Sequence, residues 1–116
     1  MLNMIVNDVG AQLRKGVVEF CVLGCLERDP MYGWQLSENL IGEGMIASIG
    51  TLYPVLARLR EKGLVSSFDE PSERGPARRY YRLTRNGTAQ LSTFRKQWKP
   101  FAAKVAAIVG EDSAND

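Results

Sequence analysis

The chain has 116 residues, 45% of them apolar and 24% charged, with a formal net charge of +2. That length builds one compact core and leaves little for a second. Histidine is absent, which removes Ser-His-Asp and Cys-His catalysis, His-ligated metal sites and the usual proton switch near neutral pH; no enzymatic role, cofactor or metal is expected.

The small net charge hides an uneven distribution. Residues 1–50 sum to −3, residues 51–104 carry twelve basic and four acidic side chains for +8, and residues 105–116 return −3. Clustered Lys and Arg attract phosphate over a long range. A solvated basic face without a partner is the plain alternative.

Residues 1–10 have weak periodicity and read as a mobile arm or as the loose first turns of a helix. From Ala11 to Arg28 the pattern is helical, with Leu13, Val17, Phe20, Cys21, Leu23 and Leu26 at i, i+3 and i+4 spacing. Asp29-Pro30 ends it, because the residue before proline leaves the helical region. Cys21 and Cys25 lie one turn apart on this helix, which suits packing as reduced thiols rather than a disulfide, and fits a cytosolic compartment. The first basic residue is Arg14, so no charged leader precedes it. The longest apolar run, Val17 to Leu26, contains Glu19 and is too short to cross a bilayer. A cytoplasmic protein without membrane contact is expected.

A second helix is expected from Met31 to Ile41, burying Trp34, Leu36, Leu40 and Ile41, with Gly42 and Gly44 breaking the chain. Leu52, Val55, Leu56 and Leu59 signal a third helix, stopped by Gly63. Its start is constrained by Pro54. A cap at Gly50 or Thr51 leaves the proline in the first turn, where a missing N–H costs nothing, whereas a start at Ser48 puts it deeper. Two strands follow, Val65 to Phe68 and Arg79 to Leu83, joined through Asp69–Ala77 with Arg74, Gly75 and Pro76 at the tip. Tyr81 and Leu83 point one way along the second strand and Tyr80 and Arg82 the other.

Thr84 is placed to cap a final helix. Its apolar residues Leu91, Phe94, Trp98, Phe101, Val105 and Ile108 repeat at alternating intervals of three and four, a heptad seam that asks for a partner helix. Pro100 should kink this helix or weaken one turn. The predicted fold is mainly α with a small β-hairpin (α+β). Residues 1–10 form an N-terminal arm and 11–84 a winged helix-turn-helix; 85–109 form a dimerisation helix, and 110–116 a disordered tail. In that architecture the third helix enters the DNA major groove and the wing lies against the neighbouring backbone.

Three stretches carry a family resemblance. Met31-Tyr32-Gly33-Trp34-Gln35-Leu36 resembles the (H/Y)-G-Y-x-(L/I) segment of PadR-like transcriptional regulators, with Trp34 in place of the commoner Tyr. Gly50-Thr51-Leu52-Tyr53-Pro54-Val55-Leu56-Ala57-Arg58-Leu59 and then Glu61-Lys62-Gly63-Leu64-Val65 are similar to the family's recognition helix. Arg74-Gly75-Pro76-Ala77-Arg78-Arg79-Tyr80-Tyr81-Arg82-Leu83-Thr84 resembles its wing, G-x-x-R-(K/R)-Y-Y-x-L-T. The short chain is similar to the subclass with one terminal helix. The resemblance implies a homodimeric repressor that often controls a neighbouring transporter or detoxification gene and releases DNA on binding a small molecule. It also matches Trp98 to a tryptophan at the dimer centre that sandwiches a flat aromatic effector; packing without a ligand is the alternative.

Ser48, Thr51 and Tyr53 are the candidate groove contacts, because hydroxyls and free N–H groups at a helix start meet base edges and phosphates. Tyr53 could instead be a core ring. Arg58 is a phosphate contact or an ion-pair partner of Glu61. Arg74, Arg78 and Arg79, with Gly75 for close approach, are the wing contacts, set against a solvated loop that never meets DNA. Two recognition helices about 34 Å apart would read an inverted repeat, and a cut after Asn86 should leave a monomer. A winged protein–protein module without DNA binding is the rival reading, and it requires an uncharged wing.

Overall fold

The computed structural model describes residues 2–110 and 112, with side chains from residue 9 onward. The element order is α1 (Leu2–Lys15), α2 (Val18–Cys25), β1 (Met31–Tyr32), α3 (Gly33–Gly42), α4 (Ile49–Glu61), β2 (Val65–Glu70), β3 (Arg78–Leu83) and α5 (Arg85–Val109). This is the expected mainly α architecture with a hairpin, enlarged by one short strand. The disordered tail expected from Gly110 lies largely outside the described residues.

Residues 2–10 are the first turns of a helix, the second of the two readings of that stretch, and the single helix expected over 11–28 is two. The break falls at Gly16-Val17, where glycine's low helix propensity meets a tight Val17 N–H to Arg14 carbonyl bond of 3.0 Å. Met31 and Tyr32 pair with Tyr81 and Tyr80 as an antiparallel edge strand, giving a sheet ordered β1-β3-β2. Helix α3 therefore begins at Gly33 rather than Met31. Its inner face is Gly33, Leu36, Ser37 and Leu40. Trp34 and Ile41 are exposed, contrary to the expected burial, with Trp34 at 56%. Gly33 faces inward with the Tyr53 ring packed over it, 3.5 Å from where its Cβ would be.

Ser48 occupies the N-cap position of α4, so Pro54 is its sixth residue, the deeper of the two expected placements. The ring leaves the Gly50 carbonyl without its N–H partner, and Gly50 is exposed, so water satisfies it. Leu52, Val55, Leu56 and Leu59 fill the core as expected, together with Val22, Leu23, Leu36, Val65 and Tyr81. Gly63 ends α4 at φ 75°. There Leu64 N–H reaches the Leu59 carbonyl at 2.9 Å and Gly63 N–H reaches Arg60 at 3.0 Å, the paired bonds of a left-handed helix stop.

Helix α5 is capped as expected. The Thr84 hydroxyl donates to the Gly63 carbonyl (2.7 Å) and accepts from Gly87 N–H (3.0 Å). The helix continues through Pro100 without interruption to Val109. Arg95 anchors it to the end of α2 with two 2.8 Å bonds from its guanidinium to the Glu27 carboxylate. Those hydrogen bonds hold the Glu27 carboxyl below its ordinary range. The pair's stabilisation is therefore complete above the unfolded glutamate value of about 4.3 and is lost as pH falls through the depressed folded value. Glu27→Gln should lower the thermal midpoint at pH 7, and the gap from the parent protein should narrow as pH falls through the depressed Glu27 value; a gap unchanged throughout the acid range would show that the charge is irrelevant.

Candidate nucleic-acid interface

The open end of α4 carries Ser48 and Thr51, with hydroxyl oxygens 3.4 Å apart and both residues exposed. The first N–H groups of a helix lack internal partners, and the aligned peptide dipoles favour negative charge there. This end can therefore receive a phosphate or present hydroxyls to a base edge. Tyr53 is half exposed at 50%, its ring covering Gly33 rather than entering the core. Arg58 does not pair with Glu61. Its Nε lies 4.0 Å from Glu19 on α2, whose carboxylate is held more closely by Lys62 at 3.0 Å. Lys62, one turn after Arg58, holds the other oxygen of the same carboxylate, and Arg58 stays half exposed.

The hairpin pairs Val65 with Leu83 through to Glu70 with Arg78. Tyr81 and Val65 face the core. On the outer face the rings of Phe68 and Tyr80 stack with centroids 5.5 Å apart, and Tyr32 adjoins Tyr80 at 5.5 Å. Arg78 lies over the Tyr32 ring at 4.7 Å and Arg82 over Phe68 at 4.3 Å. Guanidinium stacked on an aromatic face keeps its charge and its edge N–H groups available. Arg79 points to the other side, 3.3 Å from Asp69. Arg74 and Gly75 sit at the exposed tip, which Ser72 tightens by donating to the Gly75 and Pro76 carbonyls at 3.3 and 3.0 Å. The wing thus presents Arg74 and Arg78 without carboxylate partners among the described residues and Arg79 with one.

A groove of about 500 Å³ between α1 and α4 brings Thr51 and Arg58 together with Arg14 and Lys15. The last two were absent from the sequence-based set, because the helices preceding the basic block are acidic overall. Their signal was two adjacent cations in a segment with otherwise one.

The seam on α5 divides. Leu91 is buried in the core of this chain. Phe94 is half-buried and stacks on Phe20 of α2 at 4.3 Å and on Trp98 at 5.4 Å. Trp98, Phe101, Val105 and Ile108 remain exposed, Ile108 at 85%. Beside the stack runs a groove of about 320 Å³ floored by Phe20, Phe94, Trp98 and Phe101, with Gln90 and Gln97 on its rim. Cys21 and Cys25 are free, half-buried thiols, and burial pushes both above the usual thiol range. Among the described residues no cluster of His, Cys, Asp and Glu could hold a metal, and no helix is long and apolar enough to cross a membrane.

Comparison with known proteins agrees with this layout. The model of the transcriptional regulator PadR-like family matches residues 22–93. A transcriptional regulator of Mycobacterium tuberculosis is 33% identical over 94 residues, 81% of this chain and 87% of that protein. A PadR family regulator from Eggerthella lenta has the same structure with a TM-score of 0.84 at 31% identity, covering 96% of this chain and 97% of the other. Bacillus subtilis PadR, solved in complex with operator DNA, shares the fold with a TM-score of 0.62 at 21% identity, over 67% of this chain and 46% of that one. By family match, identity and fold together, the chain belongs to the PadR-like transcriptional regulators, a family of regulators and not of enzymes.

Proposed function

We propose that the chain is a homodimeric, sequence-specific DNA-binding repressor of an inverted-repeat operator, acting in the cytoplasm. The observation that carries this reading is the pairing of an open, hydroxyl-bearing start of α4 with a wing whose Arg74, Arg78 and Arg79 are all exposed. Ser48, Thr51 and Tyr53 meet the major groove, while the wing arginines and Arg58 meet phosphates, one wing arginine entering the minor groove. A protein–protein module would need an uncharged wing, which this is not. The exposed part of α5, from Trp98 to Ile108, supports a two-fold partner, since an apolar stripe of this period packs on another helix. About four phosphate contacts per protomer make about eight per dimer, so log K should fall against log salt with a slope of about −7 or steeper. A footprint on the DNA upstream of the chain's own gene tests symmetry and spacing at the same time. Two protected half-sites one helical turn apart are expected; no protection, or a slope near zero, would remove the reading.

The groove beside Trp98 supports release by a small flat aromatic or drug-like effector, because apolar ring faces with a few amides at the rim suit such molecules. Trp34 also emits and should first be changed to Phe. Planar phenolic or cationic compounds should then quench the remaining tryptophan, and Trp98→Ala should abolish the signal. Unchanged emission at saturating compound would mark the stack as packing alone.

A further inference from the structure

We propose that Arg14 and Lys15, at the end of α1, form a second phosphate-binding edge beside the recognition helix, so that each protomer holds the DNA backbone at α1 as well as at the wing. The proposal rests on the DNA-binding reading above and extends it to a helix that reading does not use.

Three observations carry it. Arg14, Lys15, Arg58 and Thr51 line one groove, so the end of α1 lies directly against the DNA-facing start of α4. Among the described residues, no carboxylate lines that groove. Glu19 pairs with Lys62 at 3.0 Å and with Arg58 at 4.0 Å, while neither Arg14 nor Lys15 has an ion-pair partner among the described residues. Of the three cations only Arg58 has a carboxylate partner among the described residues, and gathered cations repel one another unless an anion lies between them. The groove floor, Val18, Ile46, Pro54 and Val55, excludes water from one side, which strengthens any charge contact formed at the rim. Cations in a last helical turn also complement the helix dipole, but a dipole role leaves DNA affinity untouched, and this separates the two explanations.

The test is the salt dependence of binding to a mixed-sequence DNA duplex, with the full-length dimer and its Arg14→Gln/Lys15→Gln variant. Two added contacts per protomer bring the parent slope to about −11, and the double variant should return to about −7, with affinity falling alike on specific and unrelated duplexes. Lys15→Gln alone, an exposed change that leaves the fold intact, should remove about half of that difference. Slopes equal to the parent's in both variants would overturn the inference and leave the DNA reading standing. If the parent itself fails to bind any duplex at low salt, both fall together.

Discussion

Removing residues 98–116 is expected to leave a folded monomer and to weaken operator binding by about 10²- to 10⁴-fold, the loss that follows when two linked half-site contacts become independent. The site of the cut matters. A cut after Asn86, natural from sequence alone, takes Leu91 out of the core and Phe94 off the Phe20 ring, so its product would unfold whatever its oligomeric state. Cutting after Gln97 keeps the Thr84 cap, Gly87, Leu91 and the Arg95–Glu27 pair, and deletes the largely exposed stretch at the cost of one ring contact, that of Trp98 on Phe94. Sedimentation or light scattering gives the mass, and circular dichroism checks the remaining helices. A truncated chain that still dimerises would move the interface elsewhere, with the exposed Val9 and Leu13 of α1 as the next apolar surface.

Gly87→Ala is expected to be the most damaging single substitution outside the Leu core, at about 3 kcal/mol and a fall in thermal midpoint on the order of 10 °C. An added Cβ would collide with the Leu64 carbonyl oxygen and lie 2.7 Å from Leu83 Cδ1. The carbonyl has no freedom to retreat, because it already accepts the Thr84 N–H at 3.1 Å. The first turn of α5, the end of α4 and the last residue of β3 meet at this point, so a shift there disturbs three elements. Thermal unfolding of the variant decides it; a midpoint within a degree or two of the parent would mean that the junction yields easily.

The core of α4 was legible in the sequence because Leu52, Val55, Leu56 and Leu59 repeat at helical spacing and nothing competes for the inner face. Helix α3 was read less well for a physical reason. Trp34 and Ile41 are more apolar than Gly33 and Ser37, yet the smaller residues lie inward, with the Tyr53 ring packed over Gly33. That contact joins residues distant in sequence, and periodicity does not register it. Strand β1 is two residues long and exists only through its pairing with Tyr80 and Tyr81. Leu91 and Phe94 share one seam with Ile108 in sequence, but α2 covers the first two positions and leaves the rest open. Of the candidate interface, the wing and the start of α4 were visible as motifs. The pairing of Arg58 and Lys62 with Glu19, and the approach of Arg14 and Lys15, became visible only once the break at Gly16 set the direction of α1.

Glu19 and Phe20 are consecutive residues of α2 that face different neighbours. Phe20 carries the ring stack leading to Trp98, and Glu19 holds Lys62 at the end of α4. Any shift of the α2 backbone beneath the Phe20 ring would carry Glu19 with it, since the two are adjacent on one short rod. The eight-residue helix thus fastens the aromatic groove to the last turn of α4 through two neighbouring side chains.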